Sequence, residues 1–376
     1  IFAIALGYED LNDHQSLRDD PLLQIITERG VTKDALPLAS PPTLCRLENR
    51  VDRKDLAGIA EVLVETFIAS FKSRPEQLIL DFDATDDIVH GNQDKRFFHG
   101  YYDNYCFLPL YVFCESQLLV AYLRPADIDS ALHSRAILKL LVKRIRRQWP
   151  SVKIIFRGDS GFCRWRLMRW CDKNDVGYII GLARNPVLER LSQQWTEQSR
   201  RQFELTCDKQ RIFGALQYAA GTWDHNRRVI VKAEYLRQGP NTRFVVTNLQ
   251  GDPQELYDEL YCKRGQMENR IKEQQLGLFA DRTSCHDFVA NQFRVLLSAA
   301  AYVLMDALRR EGLADTELAA AQVDTIRLKL LKIGARITCS VRRVVLHLAG
   351  GYPLKELFAC VLARLRGMSI AAVSSG

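Results

Sequence analysis

Three acidic residues, far apart in the chain, could do chemistry together. Asp83 closes the short apolar run Gln77-Leu78-Ile79-Leu80-Asp81-Phe82-Asp83, and Asp159 stands in Arg157-Gly158-Asp159-Ser160-Gly161, directly after the apolar run Val152–Phe156. If those runs are neighbouring strands, their carboxyl ends set two carboxylates side by side, where like charges repel unless a cation sits between them. A hard divalent ion with oxygen ligands answers that repulsion, Mg²⁺ first, with Mn²⁺ able to substitute. A third acid is expected from a helix. Tyr261, Arg264, Glu268, Lys272 and Gln275 follow at intervals of three, four, four and three, which places them on one helical face. That face is polar throughout and so is not a core stripe. Three carboxylates can carry two metal ions, one activating a water or a 3′-hydroxyl and the other stabilising the leaving oxygen at phosphorus.

Each residue alone has an ordinary reading. An Asp at a strand end is commonly a turn or cap residue, and Glu268 by itself reads as a solvated helix residue. The joint pattern is what points to a metal site. Asp81 shares the side of Asp83 by strand alternation but sits deeper, so it reads as structural or as a support for the metal ligands. Asp86 and Asp87 either cap the turn or support metal binding.

The elements that must position these groups follow from the hydrophobic pattern. Up to about residue 74 the chain reads as helical, with Asp20-Pro21 and Ser40-Pro41-Pro42 as helix starts and Leu56 to Phe71 as a longer helix. Strands are expected at 77–83, 107–114, 117–123, 152–156 and 177–183, with helices at 125–147 and 164–174. Three sequential strands can form a meander, and the later ones must join in parallel by crossovers. The fold class expected is therefore α/β: a mixed sheet with helices on both faces, in the strand order of the ribonuclease-H-like fold. Over 187–251 helix–strand alternation is lost, and strands at 203–208, 212–219, 229–235 and 243–248 predict a β-rich insertion. A long helix is expected over 252–273, two more at 287–310 and 316–332, and a strand and helix in the tail. The division expected is a helical N-terminal region (1–74), the first part of a catalytic core (75–186), the insertion (187–251), the helical part of the core with Glu268 (252–335) and a tail (336–376). No repeat of fixed period is visible.

Asp83-Ala84-Thr85, Gly158-Asp159-Ser160-Gly161 and Tyr261-x-x-Arg264-x-x-x-Glu268 together resemble the three blocks of bacterial insertion-sequence DDE transposases with the Y-R-E-K signature. His99-Gly100-Tyr101-Tyr102-Asp103 and Asn291-Gln292-Phe293-Arg294 are similar to one subgroup of that family. The resemblance runs from about Leu6 to Arg343. It implies Mg²⁺-dependent cut-and-paste DNA transposition, with Asp83, Asp159 and Glu268 as catalytic, metal-binding residues and Tyr261 and Arg264 on the DNA backbone near the cleaved phosphate. It also implies a β-strand insertion between the second Asp and the Glu. The signature's Lys is Gln275 here, and Lys272, one turn after Glu268, is the alternative source of that charge. Family members extend further upstream, so part of a DNA-end-binding region is expected to lie beyond this sequence.

Other basic and aromatic residues are weighed against plainer roles. Lys143 to Arg147 ends a helix, where positive charge complements the dipole. Arg164, Arg166 and Arg169, beside Trp165 and Trp170, follow the second Asp closely and are the better DNA-contact candidates. Arg200-Arg201, Arg227-Arg228 and Arg243 lie in the insertion. Trp223, in Gly221-Thr222-Trp223-Asp224, either stacks on an extruded base or packs as a turn residue.

Composition bounds the alternatives. The 376 residues carry 52 Lys and Arg against 45 Asp and Glu, a net charge of +7, and are 47% hydrophobic and 26% charged. This excludes a disordered or fibrous chain and permits a polyanionic partner. The longest apolar stretch, Val295 to Met305, is too short to span a bilayer, and Ile1 to Leu6 lacks the marks of a signal peptide. Ten scattered cysteines with no C-x-x-C pair speak against a zinc ribbon or a secreted disulfide framework. A reduced, cytoplasmic protein is expected, nucleoid-associated when bound to DNA, with double-stranded DNA (element ends and target) as partner. A homodimer is expected as well, because two ends must be held together. Two alternatives stay open: a ribonuclease-H-like nuclease or Holliday-junction resolvase, and a non-catalytic DNA-binding relic.

Overall fold

The computed structural model describes residues 1–28, 36–340 and 343–373, without the side chains of 368–373. They fall into two compact units. One gathers 1–63, 88–96 and 271–376, the other 64–87 and 97–270.

The second unit holds the sheet. Its elements, in chain order, are the end of α1 (Arg53–Ala69), β1 (Gln77–Ala84), β2 (Leu110–Cys114), β3 (Gln117–Tyr122), α2 (Ser134–Gln148), β4 (Lys153–Gly158), α3 (Trp165–Lys173), β5 (Gly177–Leu182), α4 (Gln193–Thr206), β6 (Gln210–Tyr218), β7 (Arg227–Leu236) and β8 (Arg243–Thr247). The nine-stranded sheet runs β7-β8-β5-β4-β1-β2-β3, with β6 and the short strand Gly239–Pro240 also paired to β7. β1, β2 and β3 form the antiparallel meander. β4 lies parallel to β1, and β5 parallel to β4, each reached through a helix as parallel crossovers require. The strands of the region expected as an insertion do not stand apart, because β8 pairs antiparallel with β5 and carries β7 and β6 into the same sheet.

Strand alternation gives the sheet two apolar faces. Leu78, Leu80, Phe82, Ile154, Phe156 and Ile180 pack under Phe67 of α1, Leu138, Leu141 and Ile145 of α2, and Leu167 and Met168 of α3. On the other face Ile79, Ile155, Ile179, Ile230 and Val245 meet Leu256, Tyr257, Leu260 and Tyr261, from the helical stretch after β8. Burial on both faces is what parallel strands need, and it explains why these runs are continuously apolar.

Other expectations change as well, and the helix expected over 316–332 begins only at Val323. Phe203 to Asp208 is not a strand, since most of it ends α4. The Phe203/Leu205 alternation imitates a strand, but Glu197 pairs with Arg200 at 2.7 Å and Arg201 at 3.0 Å one turn on, a helix-stabilising spacing. The helix expected from Pro125 begins only at Ser134. The intervening loop is wrapped around buried Arg124, which donates to the carbonyls of Leu108 (2.9 Å), Ser130 (3.0 Å) and Leu132 (2.6 Å). The tail strand is a hairpin, Ala335–Cys339 with Val344–Leu348, and positions 341–342 lie outside the described residues.

In the first unit, Asp20 caps the helix Pro21–Ile26 through a 2.9 Å bond to the Leu23 amide. Arg327 donates to the carbonyls of Ala5 (3.0 Å) and Gly277 (2.7 Å), which ties the start of the chain to its last third. The long helix α6 (Phe288–Ala307) runs on to Gly312 and is long and apolar enough, by length and composition, to cross a membrane. Val295, Leu296, Ala299, Ala301 and Tyr302 are buried inside the fold, as in a core helix. None of the ten cysteines forms a disulfide.

The docking of α4 is testable. A Cβ at Gly214 of β6 would meet the Trp195 ring at 2.1 Å, so the indole lies directly on the glycine. Gly214→Val should lower unfolding free energy by about 1–3 kcal/mol through overpacking, measured by urea denaturation. An unchanged midpoint would mean that Trp195 does not rest there.

Candidate active site

Parallel pairing sets the site. β1 and β4 run in register from Gln77↔Lys153 to Phe82↔Gly158, so one residue further on Asp83, still paired with Tyr111 of β2, and Asp159, just past the end of β4, follow at neighbouring positions. Asp83 is mostly buried and receives the Ala84 amide at 3.0 Å. Asp159 caps the turn Ser160–Phe162, its Oδ1 accepting from the Gly161 amide at 2.9 Å. Burial pushes the Asp83 carboxyl up from its ordinary 3.8 to about 7. Arg264 and the Ala84 amide pull it back, while Asp159 and Glu268 push it further up. Asp159 and Glu268 are therefore each within electrostatic reach of Asp83.

The helical stretch that carries the other residues is not one regular helix. It begins at Pro253 under an Asp252 cap and passes through a wide π turn (Leu256–Tyr261) and a tight 3₁₀ turn (Cys262–Arg264). It then continues as α5 (Gly265–Lys272). Such changes of pitch often occur at functional sites. Tyr261 closes the wide turn and reaches across to β5, where a Cβ on Gly181 would lie 2.6 Å from its hydroxyl and 2.8 Å from the Ser160 amide. The bare glycine thus makes room for both Tyr261 and the turn that Asp159 caps. Burial raises the Tyr261 pKa, with Arg264 opposing and Asp159 adding to the rise.

Arg264 is the hub. One guanidinium nitrogen lies 3.6 Å from Asp83 and another 3.0 Å from Glu268. Burial works against its charge, but Asp83, Tyr261, Asp159 and Glu268 together hold its pKa above the ordinary value. Glu268 is exposed and meets Arg264 as an i,i+4 pair. Beneath them Arg157 of β4 grips buried Asp81 with two nitrogens and donates the third to the Leu260 carbonyl.

The structure gathers Asp83, Asp159, Tyr261, Arg264 and Glu268 and leaves other expected residues elsewhere. Lys272 is exposed, and both it and Gln275 belong to the other unit. Arg164, Arg166 and Arg169 are exposed at the start of α3; Arg164 pairs with Asp129 at 2.5 Å, and Arg166 lies over Trp165 at 5.4 Å. Trp223 sits half-buried on the turn between β6 and β7, edge-on to Tyr218 at 5.5 Å. Arg227 is buried on Asp172, Asp224 and the Tyr178 hydroxyl.

Residue-by-residue reasoning gave no role to Gly181 or Tyr102. Tyr102 lies in the hairpin of Phe97–His99 and Asn104–Phe107 and packs with Cys106, Leu108 and Ala126 against Ala84, beside the Asp83 strand end. Burial first, then Asp86, Asp83, Tyr101 and Asp159, keep its hydroxyl protonated. Its only signal was the His99-Gly100-Tyr101-Tyr102 run.

Among the described residues, no group of three or more His, Cys, Asp or Glu side chains is close enough to hold a metal ion. Asp83 and Asp159 still fit a hard cation. They are oxygen donors on adjacent strand ends, and the upward shift at Asp83 marks charge that the protein leaves partly uncompensated. Glu268 is engaged with Arg264 instead.

The model of the transposase DDE domain group 1 family matches residues 1–370. The chain belongs to that family. No curated protein matches this DDE chain. Among solved structures, it is similar to the piggyBac transposase in a synaptic complex with hairpin DNA, with 8% identity and a TM-score of 0.44, covering 83% of this chain and 65% of that one.

Two outcomes are expected for the DDE site. Gly181→Ala should destabilise by about 1–3 kcal/mol through overpacking. Tyr261→Phe should recover part of that loss, so strict additivity in a double-mutant cycle would remove the hydroxyl from above Gly181. Asp83, with its folded pKa raised, binds its proton more tightly folded than unfolded. Its contribution to stability is therefore full below about 4 and is lost as pH rises to about 7. In chelator-treated protein, Asp83→Asn should raise the melting temperature at pH 8 and have little effect near pH 4. Equal effects at both pH values would contradict the shift.

Proposed function

We propose that this DDE-family chain is a bacterial insertion-sequence transposase of the cut-and-paste kind, with the Y-R-E-K signature, built on a ribonuclease-H-like core. It would cleave element ends and join the freed 3′-hydroxyls to target DNA by Mg²⁺-dependent in-line phosphoryl transfer. The observation that carries the chemistry is the register-matched pair Asp83 and Asp159, with Arg264 and Glu268 alongside. The order β3-β2-β1-β4-β5, a meander joined to parallel strands, supports the ribonuclease-H-like reading.

Asp83, Asp159 and Glu268 are the residues that would hold Mg²⁺, or Mn²⁺, which when bound supplies activation of the attacking hydroxyl and charge stabilisation at phosphorus. The protein's own groups do the rest. Arg264 offers a planar fork suited to a phosphate oxygen and can exchange its carboxylate partners for the DNA backbone. Tyr261, seated over Gly181 beside the Asp159 turn, would make the DNA-backbone contact together with Arg264. Arg164, Arg166 and Lys272 are exposed cations for neutralising phosphates further along the duplex. Trp223, backed by Tyr218, is the candidate for stacking on an extruded base. The partners are double-stranded element ends and target DNA, held by a homodimer that pairs two ends.

Asp159→Ala should lower Mg²⁺-dependent cleavage of element-end DNA by at least about 10³-fold while sparing DNA binding in a gel-shift assay. Retained cleavage would refute the assignment. Wild-type protein given a pre-cleaved end should join it to target DNA, and cleavage without joining would favour a nuclease or resolvase.

A further inference from the structure

We propose that Arg157 is a positioning residue that sets the Tyr261–Arg264–Glu268 stretch against the Asp83 and Asp159 strand ends. The proposal rests on those residues forming the site described above. Arg157 lies on β4, two residues before Asp159, directly across from Asp81 on β1, and is only 6% exposed. Three of its nitrogens are engaged inside the protein. Nε and Nη2 take the two oxygens of Asp81, the latter at 2.6 Å, and Nη1 donates to the carbonyl of Leu260.

Core stability alone does not account for this pair. A buried ion pair adds little over well-packed apolar residues, and the same face already uses Ile79 and Ile155 two residues before Asp81 and Arg157. The third donor supplies the reason. Leu260 immediately precedes Tyr261, at the junction of the wide and tight turns, where helical pitch alone does not fix the direction of the next turn. Asp81 holds the guanidinium in one orientation, and its remaining fork then fixes the Leu260 peptide. One side chain therefore connects both Asp-bearing strands to the segment that bears Tyr261, Arg264 and Glu268. Lysine can keep the charge beside Asp81 but has no planar fork to reach both partners at once.

The test is hydrogen exchange, followed by mass spectrometry, on the metal-free full chain, with cleavage assayed separately. Arg157→Lys should speed exchange over residues 256–264 by about tenfold or more, while β1 and β4 keep their protection. Cleavage of element-end DNA should fall by about 10²-fold, the scale of a small misplacement at a reacting centre. Should the lone lysine fail to fold, Asp81→Leu with Arg157→Met removes the tie without leaving a buried charge, and the same loosening confined to 256–264 is expected. Unchanged exchange in that segment overturns the proposal, as does a rise spread evenly over the whole sheet. If the segment loosens but wild-type protein cleaves no DNA, the positioning role stands and the transposase reading falls.

Discussion

Parallel pairing of β1 with β4 sets two carboxylates at neighbouring positions, and much of the surrounding structure responds to that constraint. Asp83 sits where water is scarce and a like charge is close, so its carboxyl is raised to about 7. Asp159 is steadied by capping its own turn. Arg264 supplies the nearest positive charge and links the strand ends to the helical stretch through Glu268. Asp81, two residues earlier on the same side, is gripped by Arg157, and burial still holds its carboxyl above the ordinary value against that pull. Two acids on one strand face thus have different fates. The deeper one has both oxygens on a buried arginine, and the shallower one has Arg264 no closer than 3.6 Å.

The same contrast runs through the arginines. Arg124, Arg157, Arg227 and Arg327 are buried and bind carbonyls or acids of the protein, so they serve the fold. Arg164, Arg166 and Arg169 stay exposed on the helix after Asp159. A count of positive charge in the sequence cannot separate these groups, because the net charge of +7 sums both. Burial separates them: among the many exposed cations, Arg164, Arg166 and Arg169 stand close in sequence to the second Asp, with Arg164 and Arg169 resting on Asp129 and Asp224.

Asp83 and Asp159 were legible because each comes after a short apolar run, and such runs alternating with helices predict parallel neighbours. Glu268 and its Tyr/Arg companions were legible as a polar face with helical spacing. Gly181 was not, since its meaning lies in what approaches it in space: the Tyr261 hydroxyl and the Ser160 amide. Arg157 stood just past the expected strand 152–156, and its partner lay 76 positions away. Residues 203–208 went the other way, because an alternating Phe and Leu outweighed, on paper, the charge pairs that make a helix.

The irregular pitch before α5 has a geometric consequence. An even helix from Pro253 would rotate by the same angle at every residue, and its buried side would keep to one stripe. Here Tyr257 and Tyr261 face the sheet through the wide turn, and their rings stand 5.5 Å apart. The tight turn then brings Arg264 within 3.6 Å of Asp83. Met267 is buried while Glu268, the next residue, is exposed beside Arg264. The spacing of four, three and four residues already sets Tyr257, Tyr261, Arg264 and Glu268 on one side of the segment, so apolar and charged contacts succeed one another along a single face. The wide and the tight turn meet where the one kind of contact gives way to the other.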